Sequence, residues 1–98
     1  MTIEKNLEGN QLTLKIAGRL DTTTAPDLEA EITSMIDGIE QLVLDLADLE
    51  YVSSAGLRVI LKAQKEMNAN GSMKLINVND SVLEVFDITG FIDILTIE

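Results

Sequence analysis

Apolar and polar residues alternate through Gln11-Leu12-Thr13-Leu14-Lys15-Ile16-Ala17, the period of a half-buried strand. A weaker run from Ile3 to Leu7 precedes it across Glu8-Gly9-Asn10, and the pair predicts an antiparallel hairpin ended by Gly18-Arg19-Leu20-Asp21. Thr22-Thr23-Thr24-Ala25-Pro26-Asp27 then predicts a helix start. Thr24 suits the N-cap, Pro26 a first turn that does not need its N–H, and Asp27 the positive end of the dipole. Leu28, Ile32, Met35, Ile36 and Ile39 follow helical spacing, with Gly38 as a stop.

Leu42-Val43-Leu44-Asp45-Leu46 is almost wholly apolar, as a strand covered on both faces would be. A turn is expected from Asp48 to Ser54, then a second helix from about Ala55 to Asn68. The stripe of that helix, Leu57, Ile60, Leu61 and Met67, is broken by Gln64, and Asn70-Gly71 ends it. Met73 to Val78 reads as another buried strand. Asn79-Asp80-Ser81 caps a short third helix through Val82, Leu83 and Phe86, Gly90 ends it, and Ile92 to Ile97 reads as a last strand.

Strands alternating with helices predict an α/β fold, a single domain over residues 1–98. The sheet is expected to be mixed and mostly parallel, of about five strands, with an amino-terminal antiparallel hairpin and three crossover helices. In such sheets function gathers outside the carboxyl ends of the strands. Two segments fall there: Asp21-Thr22-Thr23-Thr24 and Val52-Ser53-Ser54-Ala55-Gly56.

Composition narrows the chemistry. Aromatic residues are only 3%, so the core has to be built from Leu, Ile, Val and Met. The net charge of −10 disfavours nucleic acid and an anionic membrane surface, and suits a partner with a basic patch. There is no Cys and no His, which removes disulfides, thiolate metal sites, the commonest zinc ligand and the usual base of a catalytic Ser. A binding protein is therefore expected rather than an enzyme, with no catalytic residue, metal or cofactor assigned. Asp45, Asp48 and Glu50 match no calcium loop and read as a solvated turn. The amino terminus lacks the charged and apolar regions of a signal peptide, and no apolar run approaches the roughly 20 residues that span a bilayer, so a cytoplasmic location is expected.

For the Ser turn two readings coexist. Either Ser53 or Ser54 stands where an N-cap belongs, just before the apolar stripe begins. The same position exposes a hydroxyl at a helix N-terminus, where a phosphate would meet free N–H groups and the positive dipole end. The Asp-Thr segment likewise reads as a cap or as the other rim of a shared surface.

The stretch Leu49-Glu50-Tyr51-Val52-Ser53-Ser54-Ala55-Gly56-Leu57-Arg58-Val59-Ile60-Leu61 resembles the signature of STAS domains, in particular the anti-sigma-factor antagonists. Gly18-Arg19-Leu20-Asp21 with Thr24-Ala25, Gln41 to Leu46, and Phe86-Asp87-Ile88-Thr89-Gly90-Phe91 resemble further segments of that family in the same order. The resemblance implies partner switching in a bacterial cytoplasm. An unphosphorylated antagonist binds an anti-sigma factor serine kinase and frees the sigma factor; the kinase phosphorylates a Ser at the start of the second helix, which releases the antagonist, and a serine phosphatase resets it. The acceptor position falls on Ser54, with Ser53 as second choice. The implied partner surface comprises Asp21, Thr22, Thr23, Thr24, Val52, Ser53, Ser54, Ala55 and Gly56. The chain departs from the family pattern at Ser53, where many members have Asp, at Ala55, where Ser or Thr is common, and at Arg58, where Gly is frequent. The alternative is a constitutive scaffold or ligand-sensing STAS module without phosphorylation.

Overall fold

A computed structural model describes residues 1–98. In chain order the strands are β1 (Thr2–Glu8), β2 (Gln11–Leu20), β3 (Gln41–Asp45), β4 (Leu49–Val52) and β5 (Ser72–Ile76). The helices are α1 (Ala25–Met35), α2 (Ser54–Asn70) and α3 (Asp80–Ile88), and a 3₁₀ turn spans Phe91–Asp93. The sheet has five strands in the order β1-β2-β3-β5, with β4 as an additional partner of β2. Only the β1–β2 hairpin is antiparallel; β2–β3, β3–β5 and β2–β4 are parallel.

The expected α/β architecture and hairpin are present, but two elements differ from the sequence reading. The segment read as a turn from Asp48 to Ser54 contains β4. Leu49 and Val52 are buried and Glu50 and Tyr51 exposed, a four-residue pattern too short to register as alternation. The segment read as a last strand, Ile92 to Ile97, is not one. Ile94 and Leu95 donate their N–H groups back to Phe91 O, which curls the chain, and only a single parallel bridge joins Ile97 to Leu75. Hence the fifth strand is β4.

β2 is long because it serves two neighbours. Gln11 to Lys15 pairs with β3, whereas Gly18 to Leu20 pairs with β4, and the register shifts between Gly18 and Arg19. Gly18 has φ +93, a conformation that favours glycine, and its N–H donates to Asp48 O at 3.0 Å. β3 lies centrally as expected: Leu42 and Leu44 join the main core, and Val43 is buried on the opposite face.

The core contains 23 residues, among them Leu12, Leu14, Ile16, Leu20, Leu28, Ile60 and Phe86. α1 ends at Met35, earlier than its apolar stripe suggests; Ile39 still reaches the core from the loop beyond. The buried face of α2 is Gly56, Leu57, Val59, Ile60, Ala63, Gln64 and Met67. Leu61, expected on that stripe, is only half-buried. Gln64 is 3% exposed; its Nε2 donates to Asn68 Oδ1 at 2.8 Å while its Oε1 is buried without a partner. An unmet buried acceptor costs about 1–3 kcal/mol. Replacing Gln64 with Met, of similar volume, is therefore expected to raise stability by about 1 kcal/mol, read as a higher urea midpoint at unchanged m-value.

Candidate functional site

The change of partner along β2 places two loops side by side. Parallel pairing aligns Arg19 with Tyr51 and Leu20 with Val52. The loop after β2 and the start of α2 after β4 therefore leave the sheet at the same edge. Ser53 N–H donates to Leu20 O at 2.8 Å, extending the pairing by one step.

The two serines have different jobs. Ser53 is extended (φ −92, ψ 174) and is the N-cap of α2: its Oγ accepts from Gly56 N–H at 3.3 Å and its carbonyl from Leu57 N–H at 2.9 Å. Ser54 is the first helical residue and is exposed. Its Oγ makes no hydrogen bond within the chain, and the Ser54 and Ala55 N–H groups have no intrachain acceptor. The cap and the free hydroxyl are thus adjacent residues, not competing readings of one.

Gly56 is buried against Leu20. A Cβ there would stand 2.7 Å from Leu20 Cγ and 3.1 Å from Leu20 O. Bulk is excluded by the chain's own β2, so Gly56 is required for the approach of α2 rather than for contact with another molecule. Val52, 4% exposed, is also a core residue. Of the expected surface, Val52 and Gly56 therefore present no side chain outward. Thr22, Thr23 and Ser54 are exposed, and Asp21, Thr24, Ser53 and Ala55 are partly so.

The loop after β2 is organised by Asp21. Its Oδ1 accepts from Thr23 N–H at 3.0 Å and Thr24 N–H at 3.1 Å. Thr24 occupies the N-cap position of α1 but does not cap it. It has helical dihedrals (φ −96, ψ −20), and its hydroxyl turns back, accepting from Asp21 N–H at 2.9 Å and donating to Arg19 O at 2.8 Å. The hydroxyl is used to close the loop, which leaves none of it for the helix. Hydrogen bonds from the Thr24 backbone N–H first and from the Thr23 N–H, together with the nearby Arg19 charge, hold the Asp21 carboxyl below the usual carboxylate range.

Residues that pattern analysis passed over complete the site. The Arg19 guanidinium lies 4.3 Å from the centroid of the Tyr51 ring, and its Nε is 3.9 Å from Asp21 Oδ2. A cleft of about 470 Å³ runs between α1 and α2, lined by Thr22, Pro26, Ala55, Arg58, Lys62 and Lys65 among others. Thr22 of the loop after β2 and Ala55 of the first turn of α2 both line it. The signal for it was the spacing of Ser54, Arg58, Lys62 and Lys65 along one helix face. Asp45, Asp48 and Glu50 do not converge on a common point: Asp45 accepts from Ala47 N–H and Asn77 Nδ2, Asp48 pairs with Lys15 at 3.3 Å, and no group of three or more ligating side chains is assembled anywhere. No helix is long and apolar enough to cross a membrane.

With this geometry in view, comparison with known proteins is direct. The family model of the STAS domain matches residues 2–98, and the chain belongs to that family. BtrV of Bordetella bronchiseptica, provisionally named an anti-sigma factor antagonist, is 39% identical over 84 residues, covering 84% of this chain and 72% of BtrV. The anti-sigma-B factor antagonist of Staphylococcus aureus is 30% identical over 97 residues, covering 97% and 90%. The anti-sigma factor antagonist SpoIIAA has been solved unphosphorylated (TM-score 0.85, 19% identity, 99% of this chain and 88% of that one) and, from Bacillus, phosphorylated (TM-score 0.78, 18% identity, 99% and 91%). At those identities the likeness to SpoIIAA is one of fold.

Two outcomes follow from the site. Ser53→Ala removes the cap and is expected to cost about 1 kcal/mol, whereas Ser54→Ala is expected to stay within about 0.5 kcal/mol of the parent; urea unfolding of both variants checks this. Asp21 has a lower pKa folded than unfolded, so its stabilising contribution is complete above the unfolded value of about 3.9 and is lost as the pH falls through the lower folded one. Asp21→Ala is accordingly expected to be less stable than the parent at pH 7, with the gap between their urea midpoints narrowing below about pH 4.

Proposed function

We propose that this chain is a cytoplasmic anti-sigma-factor antagonist that binds an anti-sigma serine kinase through the two loops at the β2–β4 edge and is released when the kinase phosphorylates Ser54. The observation that carries this reading is the free, exposed hydroxyl of Ser54 on the first residue of α2, beside a neighbour that already performs the capping. Ser53 is the poorer acceptor because its Oγ already accepts from Gly56 N–H and its side chain is only partly exposed. The curated relatives named as anti-sigma factor antagonists support the same reading, and so does a protein of this fold solved in both phosphorylation states.

The switch is electrostatic. In the unmodified state a flat polar rim of Asp21, Thr22, Thr23, Ser54 and Ala55 meets the kinase. The kinase transfers the γ-phosphoryl of ATP to Ser54 Oγ, the hydroxyl proton passes to a base on the kinase, and ADP leaves. The product carries about −1.5 to −2 additional charge at the centre of the contact. Repulsion and desolvation then oppose rebinding. Locally the modification is tolerated, since the dianion sits at the positive end of a 17-residue helix beside N–H groups that lack partners. A serine phosphatase restores the hydroxyl. The chain itself supplies binding and an acceptor, and the chemistry belongs to the kinase.

Incubation with the cognate kinase and ATP, followed by mass spectrometry, is expected to place the phosphate on Ser54. Ser54→Ala is expected to keep kinase binding and Ser54→Asp to weaken it by about tenfold or more, measured by calorimetry. A stable complex indifferent to ATP would instead identify a constitutive scaffold.

A further inference from the structure

Seven basic residues face seventeen acidic ones in this chain, so an unpaired cation is unusual. Lys5, Lys15, Arg19, Lys62 and Lys74 each lie within ion-pair distance of a carboxylate. Arg58 and Lys65 do not. Both stand on α2 and line the α1–α2 cleft, as do Ala55 and Thr22. Lys65 is eleven residues beyond Ser54, about 16 Å along the axis at 1.5 Å per residue. Arg58 is four residues beyond it, one turn, on the same face.

Direction also matters. Helical side chains lean toward the N-terminus, so an arginine covers the turn before its own Cα. By that tendency and the i, i+4 spacing, the Arg58 side chain can reach Ser54. An acidic group four residues before a basic one is the better order of an i, i+4 pair, since it also agrees with the helix dipole. Both residues are exposed. Around them, Lys62 is engaged by Glu29 at 3.0 Å, and the Asp21 carboxylate is satisfied within its own loop.

We propose that Arg58 is the intrachain receiver for a phosphate on Ser54, closing on the dianion across one turn of α2. This rests on the reading of Ser54 as the acceptor. Phosphorylation then does two things to the partner surface at once: it adds negative charge and withdraws the one free cation at the mouth of the cleft. α2 stays folded, because the dianion is matched from its own face. Arg58 acts on the phosphate as a positioning residue and takes no part in its transfer.

The test needs no kinase. Phosphoserine is incorporated at position 54 during synthesis of the full chain, in the parent and in Arg58→Gln, and each is titrated by phosphorus NMR. A nearby guanidinium favours the dianion and lowers the second phosphate pKa, which is about 6 when unperturbed. The parent is expected to titrate about 0.3–0.5 of a pH unit below Arg58→Gln. The Arg58 Nε–H resonance is expected to move on phosphorylation, while unmodified Arg58→Gln keeps the parent's urea midpoint. Equal titration midpoints in the two phosphoproteins, or an unmoved Arg58 resonance, would overturn the proposal. Failure of a kinase to modify Ser54 would remove the biological switch and leave this titration result standing, so the two readings fail separately.

Discussion

Beyond Lys15 the second strand leaves β3, and at Gly18 it takes up β4. That exchange, made possible by a positive φ and a shift of register, is what brings the Asp21 loop and the start of α2 together. Its consequences propagate through hydrogen bonds and close packing. Leu20 O receives the Ser53 N–H, and the Leu20 side chain leaves room for no more than a hydrogen at Gly56. A side chain on Gly56 would push α2 off β2 and separate the two loops, because packed interiors have little void to absorb it. The site is therefore a product of how one strand divides its edges.

On that frame the local roles are separated with economy. Ser53 holds the helix end, and this frees Ser54 to face solvent with an unused hydroxyl. Asp21 and Thr24 close the facing loop largely on themselves, and the Ala25 N–H at the start of α1 donates to Asp21 O at 2.8 Å. Under the proposed phosphorylation of Ser54, the groups that hold the backbone are not the groups that change charge.

Charge is distributed to the same end. Most of the basic side chains are spent in exposed ion pairs, each worth little to stability. The unspent ones border the cleft between α1 and α2. In a chain of net charge −10, Arg58 and Lys65 are thereby the basic side chains left without an intrachain carboxylate partner.

Much was legible from the residues alone. The 2.0 period of Gln11 to Ala17, the apolar run at Leu42 to Leu46 and the 3.6 period of α2 report burial, and burial is written directly in side-chain type. The Ser turn was legible too, as a cap position and through the likeness of its motif to STAS domains. What pattern could not reach depends on partners distant in the chain. β4 is four residues long and exists because β2 offers it an edge; Ile92 to Ile97 has strand-like composition but curls back on Phe91 and meets β5 at one bridge. Thr24 has the composition of a cap, yet its hydroxyl is claimed by Arg19 O and Asp21 N–H. The choice between Ser53 and Ser54 as the cap was settled by backbone dihedrals that follow from β4 ending at Val52. Side-chain chemistry and spacing thus determined the class of fold and the place of the Ser turn at the start of a helix. Tertiary pairing decided which hydroxyl is free, because a hydrogen bond depends on where the other chain segment lies.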